Sequence, residues 1–298
     1  MFTIVSVFIL AIVNYIDEYL TAKNPAAMGA MGDNSHRKVG GLLIISTLMN
    51  LPGAVVAFLF VGSIATTGNV IALATVSAIA MVTLWASYFY LITRYSVYLV
   101  VPLCQLTSLW LLIIEIITNN GSLSLPGIIG VVALIIGSYL LDLGEFKWKI
   151  PGRLFLTMLP VTFVSAAGLY AFRIASDMSS GPVVAVWHLF FIGIIGIVLV
   201  VLFKDYRAGF LIRVKEQGRI FIGLSLVNES ISMGAYFLSN LAIAIAPAVA
   251  YVSALSGLQG VFILILFIIF PQKKEKITAV QIFAIVIMAL AVYLIEKS

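Results

Sequence analysis

The amino-acid sequence predicts an all-α integral membrane protein of ten transmembrane helices, arranged as two inverted repeats of five helices. Hydrophobic residues make up 62% of the 298 residues and charged residues only 10%, which leaves too little polar surface for a soluble domain of this length. Apolar runs of about 20 residues recur, and each can cross a hydrocarbon core of about 30 Å as a helix. A pattern of apolar segment, polar break and apolar segment also occurs twice.

The apolar runs divide the chain into ten spans. In the first repeat, residues 1–144, the predicted spans are Phe2–Leu20, Val39–Val61, Val70–Ile92, Ser96–Ile117 and Leu125–Leu141. In the second repeat, residues 145–298, they are Leu154–Ile174, Pro182–Phe203, Ile220–Leu241, Pro247–Phe270 and Ile277–Ile295. The runs are continuous rather than alternating, which excludes the strands of a membrane β-barrel. The first run has no basic residue before it and is expected to be a retained helix.

The twofold pattern is clearest in the fourth and fifth spans of each half. Without a gap, Leu103, Leu106, Leu112, Ile113, Ile116 and Ile117 fall opposite Leu255, Leu258, Leu264, Ile265, Ile268 and Ile269. Because each half has an odd number of spans, the second half is expected to enter the membrane in the opposite sense. Inverted repeats of this kind are common in secondary transporters.

The basic residues predict the orientation. All Lys and Arg residues except Arg173 and Lys297 lie in the odd-numbered loops. The positive-inside rule therefore predicts cytoplasmic odd loops and extracytoplasmic termini in a plasma membrane, of the bacterial or archaeal inner-membrane type. The longest basic loop, before the eighth span, spaces Phe210, Leu211 and Val214 like one face of a short interfacial helix.

Three segments together resemble a known transporter family. They read VVPLCQLTSLWLLIIEIIT and GIIGVVALIIGSYLL in the first half and APAVAYVSALSGLQGVFILILFIIF in the second. With the ten spans, they resemble the drug/metabolite transporter superfamily, specifically its EamA-type permeases. The resemblance implies a ten-helix transporter fold. The chain departs from the family where Ile114 precedes Glu115 in place of a glycine, and where the loop charges predict extracytoplasmic termini.

The resulting expectation is a secondary transporter that moves a small metabolite across the membrane by alternating access, with proton coupling as a hypothesis. A flippase for a lipid-linked or amphipathic precursor is the alternative, followed by a structural or receptor protein. An enzyme is not expected, because no HExxH motif, paired intramembrane aspartates or Ser/His/Asp arrangement is present. The expected partners are the metabolite, membrane lipid and a coupling proton. No cofactor, metal or nucleic acid is expected, since the basic residues lie in loops.

Glu229 is the leading candidate for function. It follows Asn228 about halfway along the eighth span, and ionisable groups at such depth usually serve a function. Its carboxyl group could take up and release a proton as the site alternates between the two faces. The alternative is a neutral carboxylic acid that fixes helix packing through hydrogen bonds.

Other polar groups within spans could line a cavity or join helices. His188 has no neighbouring metal ligands in the sequence, which favours a packing role, although histidine can titrate near neutral pH. Gln105 and Gln259 lie near mid-depth of the fourth and ninth spans. The remaining candidates for a cavity wall are Trp85, Tyr170, Tyr88, Tyr251, Asn14 and Asn50.

Three charged residues near the ends of spans are candidates for the mouths of a pathway. Asp17 and Glu18 lie near the predicted cytoplasmic end of the first span, and Arg173 lies near the outer end of the sixth. Because these ends are on opposite sides, an ion pair between Glu18 and Arg173 is not expected. Each side chain could instead extend to its nearest membrane interface.

Overall fold

The computed structural model describes residues 1–22, 35–95, 97–118, 122–143, 151–269 and 278–298. The first half contains helices α1 (Phe2–Ala22), α2 (Ser35–Leu48), α3 (Asn50–Val61), α4 (Gly68–Ile92), α5 (Val97–Cys104), α6 (Leu106–Thr118) and α7 (Leu125–Leu143). The second half contains α8 (Gly152–Met178), α9 (Gly181–Leu202), α10 (Lys204–Ile245), α11 (Val249–Leu255), α12 (Gln259–Ile269) and α13 (Ala279–Glu296). The predicted boundary at residues 144 and 145 lies outside the described ranges.

The predicted class, an all-α multi-pass membrane protein, is confirmed. The described ranges contain helices and no strand. Eight helical segments are long and apolar enough to cross a membrane, and Phe2–Asp17 and Leu125–Leu141 form two shorter apolar helices. Large apolar side chains cover the outside, including Phe60, which is 86% exposed, and Ile117, which is 77% exposed. Such a surface is stable against lipid and unsuited to water.

Two predicted spans of the first half contain a break. The second is interrupted at Met49, between the end of α2 at Leu48 and the start of α3 at Asn50, and Met49 lies three residues before Pro52. The fourth is interrupted at Gln105, three residues after Pro102, which cannot donate a backbone hydrogen bond. Pro102 lies just before the break at Gln105, where the Gln105 N–H bonds to the Pro102 carbonyl at 2.9 Å in a tighter turn.

The basic segment before the eighth span is helical, as predicted, and it packs on the protein. It forms the first part of α10, which bends at Gly218, whose φ of 56° favours glycine. The Arg213 side chain is fully buried beside Gly41 and donates to the Lys38 carbonyl at 3.2 Å. Burial lowers the pKa of Arg213 to about 10, so the guanidinium remains charged at neutral pH. This segment is therefore anchored to the start of α2.

Helices α7 and α13 pack against each other over an extensive contact. Their backbones approach at Gly130 and Gly137, which face Ala291 and Met288 respectively. Small residues at such crossings permit the van der Waals contact that holds membrane helices together. Helices α4 and α8 approach in the same manner, since Gly168 faces Ala80.

Replacing Gly130 with leucine should destabilise the protein by about 1–3 kcal/mol, because overpacking forces neighbouring backbones apart. A Cβ atom there would lie 2.9 Å from the Ala291 carbonyl oxygen and 2.7 Å from Ile295. The measurement is the unfolding temperature in detergent. Gly68→Leu is the matched control, since no atom lies within 4 Å of a Cβ at that position. Equal unfolding temperatures for the two variants would contradict this packing assignment.

Candidate functional site

A cavity of about 190 Å³ lies between the two halves of the chain. Its wall is built from α1, α2, α4, α5 and α6 of the first half, and from α8, α10, α11, α12 and the turn Ser256–Leu258 of the second. Helices α7 and α13 contribute none of the described lining residues. The paired helices α7 and α13 therefore lie apart from the cavity.

Two carboxyl groups lie in the cavity wall. Asp17 of α1 and Glu229 of α10 are 5% and 7% exposed, and both belong to the lining of this cavity. The Asn228 Nδ2 group donates to Asp17 Oδ1 at 2.9 Å, and the Ser46 hydroxyl donates to Glu229 Oε1 at 2.5 Å. These hydrogen bonds join α1, α2 and α10 at the acidic pair.

No Lys, Arg or His side chain is among the described residues that line the cavity. Apart from the aromatic residues, the other lining groups with polar atoms are amides, hydroxyls and one thiol, contributed by Asn14, Ser46, Cys104, Gln105, Thr107, Ser165, Ser232, Ser239, Asn240, Ser253, Ser256 and Gln259. The wall is therefore acidic, and it offers hydrogen-bonding groups of both kinds around the two carboxyl groups.

Aromatic side chains form a further part of the same wall. The Trp85 Nε1 group donates to the Tyr236 hydroxyl at 3.1 Å, and the two ring centroids are 5.3 Å apart. The Tyr88 hydroxyl donates to Asn14 Oδ1 at 3.3 Å. Hydrogen bonding fixes the positions of these rings in the cavity wall.

The interrupted fourth and ninth spans cross where both are broken. The break at Gln105 contacts the turn Ser256–Leu258, with Gln105 Nε2 donating to the Ser256 hydroxyl at 3.1 Å. One turn further along, the hydroxyls of Ser108 and Ser253 are 2.8 Å apart. Backbone that is irregular within a membrane is tolerated where it lies in protein or lines a cavity, as it does here.

Glu115 holds the start of α11. Its two carboxylate oxygens accept the backbone N–H groups of Val249 and Ala250 at 2.6 and 3.1 Å. These groups belong to the first turn of the helix and have no partner within it, and a negative charge there is favourable. Arg173 stabilises a helix C-terminus, because its guanidinium donates to the carbonyls of Ile243 and Ala246 at the end of α10. Both residues secure helix ends beside the cavity.

The predicted candidates fall into two groups. One group lines the cavity and consists of Glu229, Asp17, Gln105, Gln259 and Trp85. Asn228, the residue before Glu229 on α10, bonds to Asp17. Tyr170, His188 and Arg173 are not among the lining residues. The side chain of Glu18 lies outside the described part of the structure.

The candidates away from the cavity make packing contacts. Tyr170 donates to the Thr118 hydroxyl at 2.9 Å, and Arg173 also pairs with Asp177 at 3.0 Å. His188 is buried edge-on against Phe172, with ring centroids 5.7 Å apart. Within the described ranges, no group of three His, Cys, Asp or Glu residues could hold a metal ion.

Several lining residues were absent from the predicted site. Ser232, Tyr236 and Asn240 follow Glu229 on α10 at intervals of three or four residues, and all of them line the cavity. This helical spacing is a readable signal of one polar face. Ser46 carried no such signal, because its contact with Glu229 joins positions distant in sequence.

Comparisons with known proteins identify the fold alone. No protein-family model matches the chain, and no curated protein sequence matches it. Among solved structures, a crystal structure described only as that of a protein is similar, with a TM-score of 0.62 and 11% sequence identity. The similarity covers 95% of this chain and 95% of the other. The helical architecture therefore recurs in a protein of very different sequence.

Replacing Glu115 with alanine should lower the free energy of unfolding by about 1–3 kcal/mol, because two buried N–H groups lose their acceptor. Glu115→Gln should have a smaller effect, since its amide oxygen can still accept one of the two. The measurement is thermal unfolding of both variants in detergent. An alanine variant as stable as the wild type would show that the carboxylate does not hold α11.

Proposed function

We propose that this protein is a secondary transporter of the EamA-type permease class, with ten membrane helices in two inverted repeats. The central cavity carries the proposal, because polar and ionisable side chains from both halves converge there. A small polar metabolite would bind in the cavity, which would open alternately to the two sides. The carboxyl groups and amides of the wall favour such a solute over the hydrocarbon tails of a lipid-linked precursor.

The helix packing supports the inverted repeat. In an inverted repeat, α1 would correspond to α8, and α4 would correspond to the membrane part of α10. A twofold axis would then relate the contact between α1 and α10 to the contact between α8 and α4. Both of these contacts are extensive. The corresponding helices α7 and α13 pack on each other, as elements related by such an axis can do. A membrane-plane axis of this kind is the symmetry of many secondary transporters.

The broken helices support the same repeat. In the ungapped match of Leu103 with Leu255, Gln105 falls opposite Gly257, and each position lies at the break of its own span. Discontinuous helices that meet at the repeat interface commonly form the substrate site of transporters. The crossing of Gln105 with Ser256 is such a meeting point in the cavity wall.

Glu229 is the proposed proton-coupling residue, in partnership with Asp17. Both carboxyl groups lie in the cavity, and the Ser46 and Asn228 side chains hold one oxygen of each. With extracytoplasmic termini, Asp17 lies near the cytoplasmic end of its span and Glu229 lies about halfway along its own. A group that faces the two sides in turn can carry a proton between them.

Glu229→Gln should lower the rate of uptake driven by a pH gradient in proteoliposomes at least about tenfold, because an amide cannot exchange the proton. The substrate for the assay comes from a thermal-shift screen of metabolites against the purified protein, since a bound ligand raises its apparent stability. Glu296→Gln, at an exposed position at the end of α13, is the control. Full gradient-driven uptake by Glu229→Gln would reject the coupling role.

The orientation can be tested separately. Fusing a periplasm-active alkaline phosphatase to the C-terminus should give an active reporter in a bacterial host, because the positive-inside rule predicts extracytoplasmic termini. The same enzyme inserted after Lys215, in the basic segment of α10, should be inactive. Activity in the reverse order would overturn the orientation without affecting the cavity.

A further inference from the structure

We propose that the first part of α10, residues 204–217, binds the headgroups of anionic phospholipids through Lys204, Arg207 and Lys215, which surround Leu211. None of the described lining residues of the central cavity belongs to this segment, so the site is separate from the proposed transport pathway. The proposal is carried by the position of the segment beside α2, by the face that the segment leaves exposed, and by the charge of that face.

The segment lies at a boundary of the membrane. It joins two apolar helical segments that are long enough to cross a bilayer, Gly181–Leu202 and Phe221–Ile245. Large apolar side chains are exposed up to its start, since Val201, Leu202 and Phe203 are 63%, 68% and 50% exposed. The chain therefore leaves the hydrocarbon core just before this segment and enters it again just after, as a helix at the membrane surface does.

The segment lies beside the start of α2. The two backbones approach at Gly40, where a Cβ atom would collide with the Tyr206 backbone, and at Gly209, where one would collide with the Arg37 carbonyl. The Arg213 side chain, on the same face of the segment, is fully buried. These contacts fall in the first two turns of α2, where its membrane span begins. The opposite face of the segment is therefore directed sideways, into the layer of lipid headgroups.

That opposite face is basic. Lys204, Arg207, Leu211 and Lys215 are all exposed, and they follow one another at intervals of three, four and four residues. At 3.6 residues per turn these positions fall within an arc of about 80°. The arc lies on the side of the helix opposite the buried Arg213. Three positive charges thus form one outward stripe with a leucine among them.

The charges of the stripe are not neutralised by neighbouring side chains of the described structure. None of its three basic residues forms an ion pair with another described residue. The Asp205 carboxylate instead pairs with Arg37 at 3.1 Å, on α2. Glu216 is exposed but lies about 100° around the helix from Lys215, outside the arc. The stripe therefore presents a positive surface to whatever lies beside it.

An anionic lipid fits this surface better than a soluble acidic partner. Lys and Arg at the membrane surface attract anionic headgroups, and phosphate oxygens accept hydrogen bonds from both side chains. Leu211 is 56% exposed in the middle of the charges, and the acyl chains beneath the headgroups accommodate such a side chain. Because the contacts with α2 already hold the segment in place, little ordering is needed when a lipid binds.

Thermal unfolding of the purified full-length protein in detergent measures lipid binding, because a ligand of the folded state raises the unfolding temperature. Dioleoyl phosphatidylglycerol should act at a mole fraction at least about tenfold below that required for dioleoyl phosphatidylcholine, which has no net charge. Raising NaCl to about 0.5 M should weaken the response to phosphatidylglycerol, since salt screens charges at a surface. Equal responses to the two lipids would overturn the proposal.

A triple variant locates the binding. Lys204→Gln, Arg207→Gln, Lys215→Gln should raise the required mole fraction of phosphatidylglycerol at least about tenfold, because all three charges of the stripe are removed. Should this variant fail to fold, the three substitutions are measured singly, and each should raise the required mole fraction severalfold. A wild-type response of the triple variant, or of all three single variants, would overturn the proposal.

A second triple variant controls for net charge. Arg94→Gln, Arg153→Gln, Lys297→Gln also removes three exposed positive charges, all of them outside the stripe. Its response to phosphatidylglycerol should stay within about twofold of that of the wild type. An equal loss of response in the two triple variants would show attraction by overall charge and would overturn a site on α10.

Two soluble probes distinguish the source of the negative charge. Glycerol 3-phosphate carries a phosphate without acyl chains, and polyglutamate represents an acidic protein partner. Neither should raise the unfolding temperature as phosphatidylglycerol does at the same concentration. Equal stabilisation by either probe, lost in the stripe variant, would overturn the assignment to membrane lipid. Transport plays no part in these measurements, so their failure would leave the proposed function unaffected.

Discussion

The apolar surroundings of the chain impose one constraint on which its structure depends: polar groups away from water need partners within the protein. Helices meet this requirement for most of the backbone. Where the helices break, begin or end, side chains supply the missing hydrogen bonds to the backbone or join the broken segments. Glu115 accepts the first N–H groups of α11, Arg173 donates to the last carbonyls of α10, and Gln105 bonds across to Ser256. The irregular backbone beside the cavity is therefore compatible with a membrane.

The same constraint gives the cavity its chemical character. Asp17 and Glu229 bond to Asn228 and Ser46, yet no basic side chain lies among the described lining residues. The proposed proton coupling depends on this arrangement of carboxyl groups. The paired helices α7 and α13 stand apart from it, where Gly130 and Gly137 provide close contact.

Much of the candidate site could be read from residue type and depth. Glu229, Gln105 and Gln259 were predicted as polar groups in spans, and each lines the cavity. Tyr170 and His188 looked equally suitable, yet they lie in packing contacts with Thr118 and Phe172. The type of a residue and its depth in a span do not predict the rotation of the helix about its axis. That rotation decides whether a polar side chain faces a cavity or a neighbouring helix.

The sequence alone determined the helical membrane class, the approximate spans and the polar residues within them. Long apolar runs have one stable backbone conformation in lipid, so this information is local. Only the tertiary structure decided that Asp17 and Glu229 share one cavity, that Ser46 bonds to Glu229, and that Glu115 holds α11. These contacts join helices far apart in the chain, and they depend on which helix faces pack together. Because apolar side chains of similar hydrophobicity occur on every face of these helices, hydrophobicity does not determine which faces pack together. Shape, small residues and a few hydrogen bonds determine it.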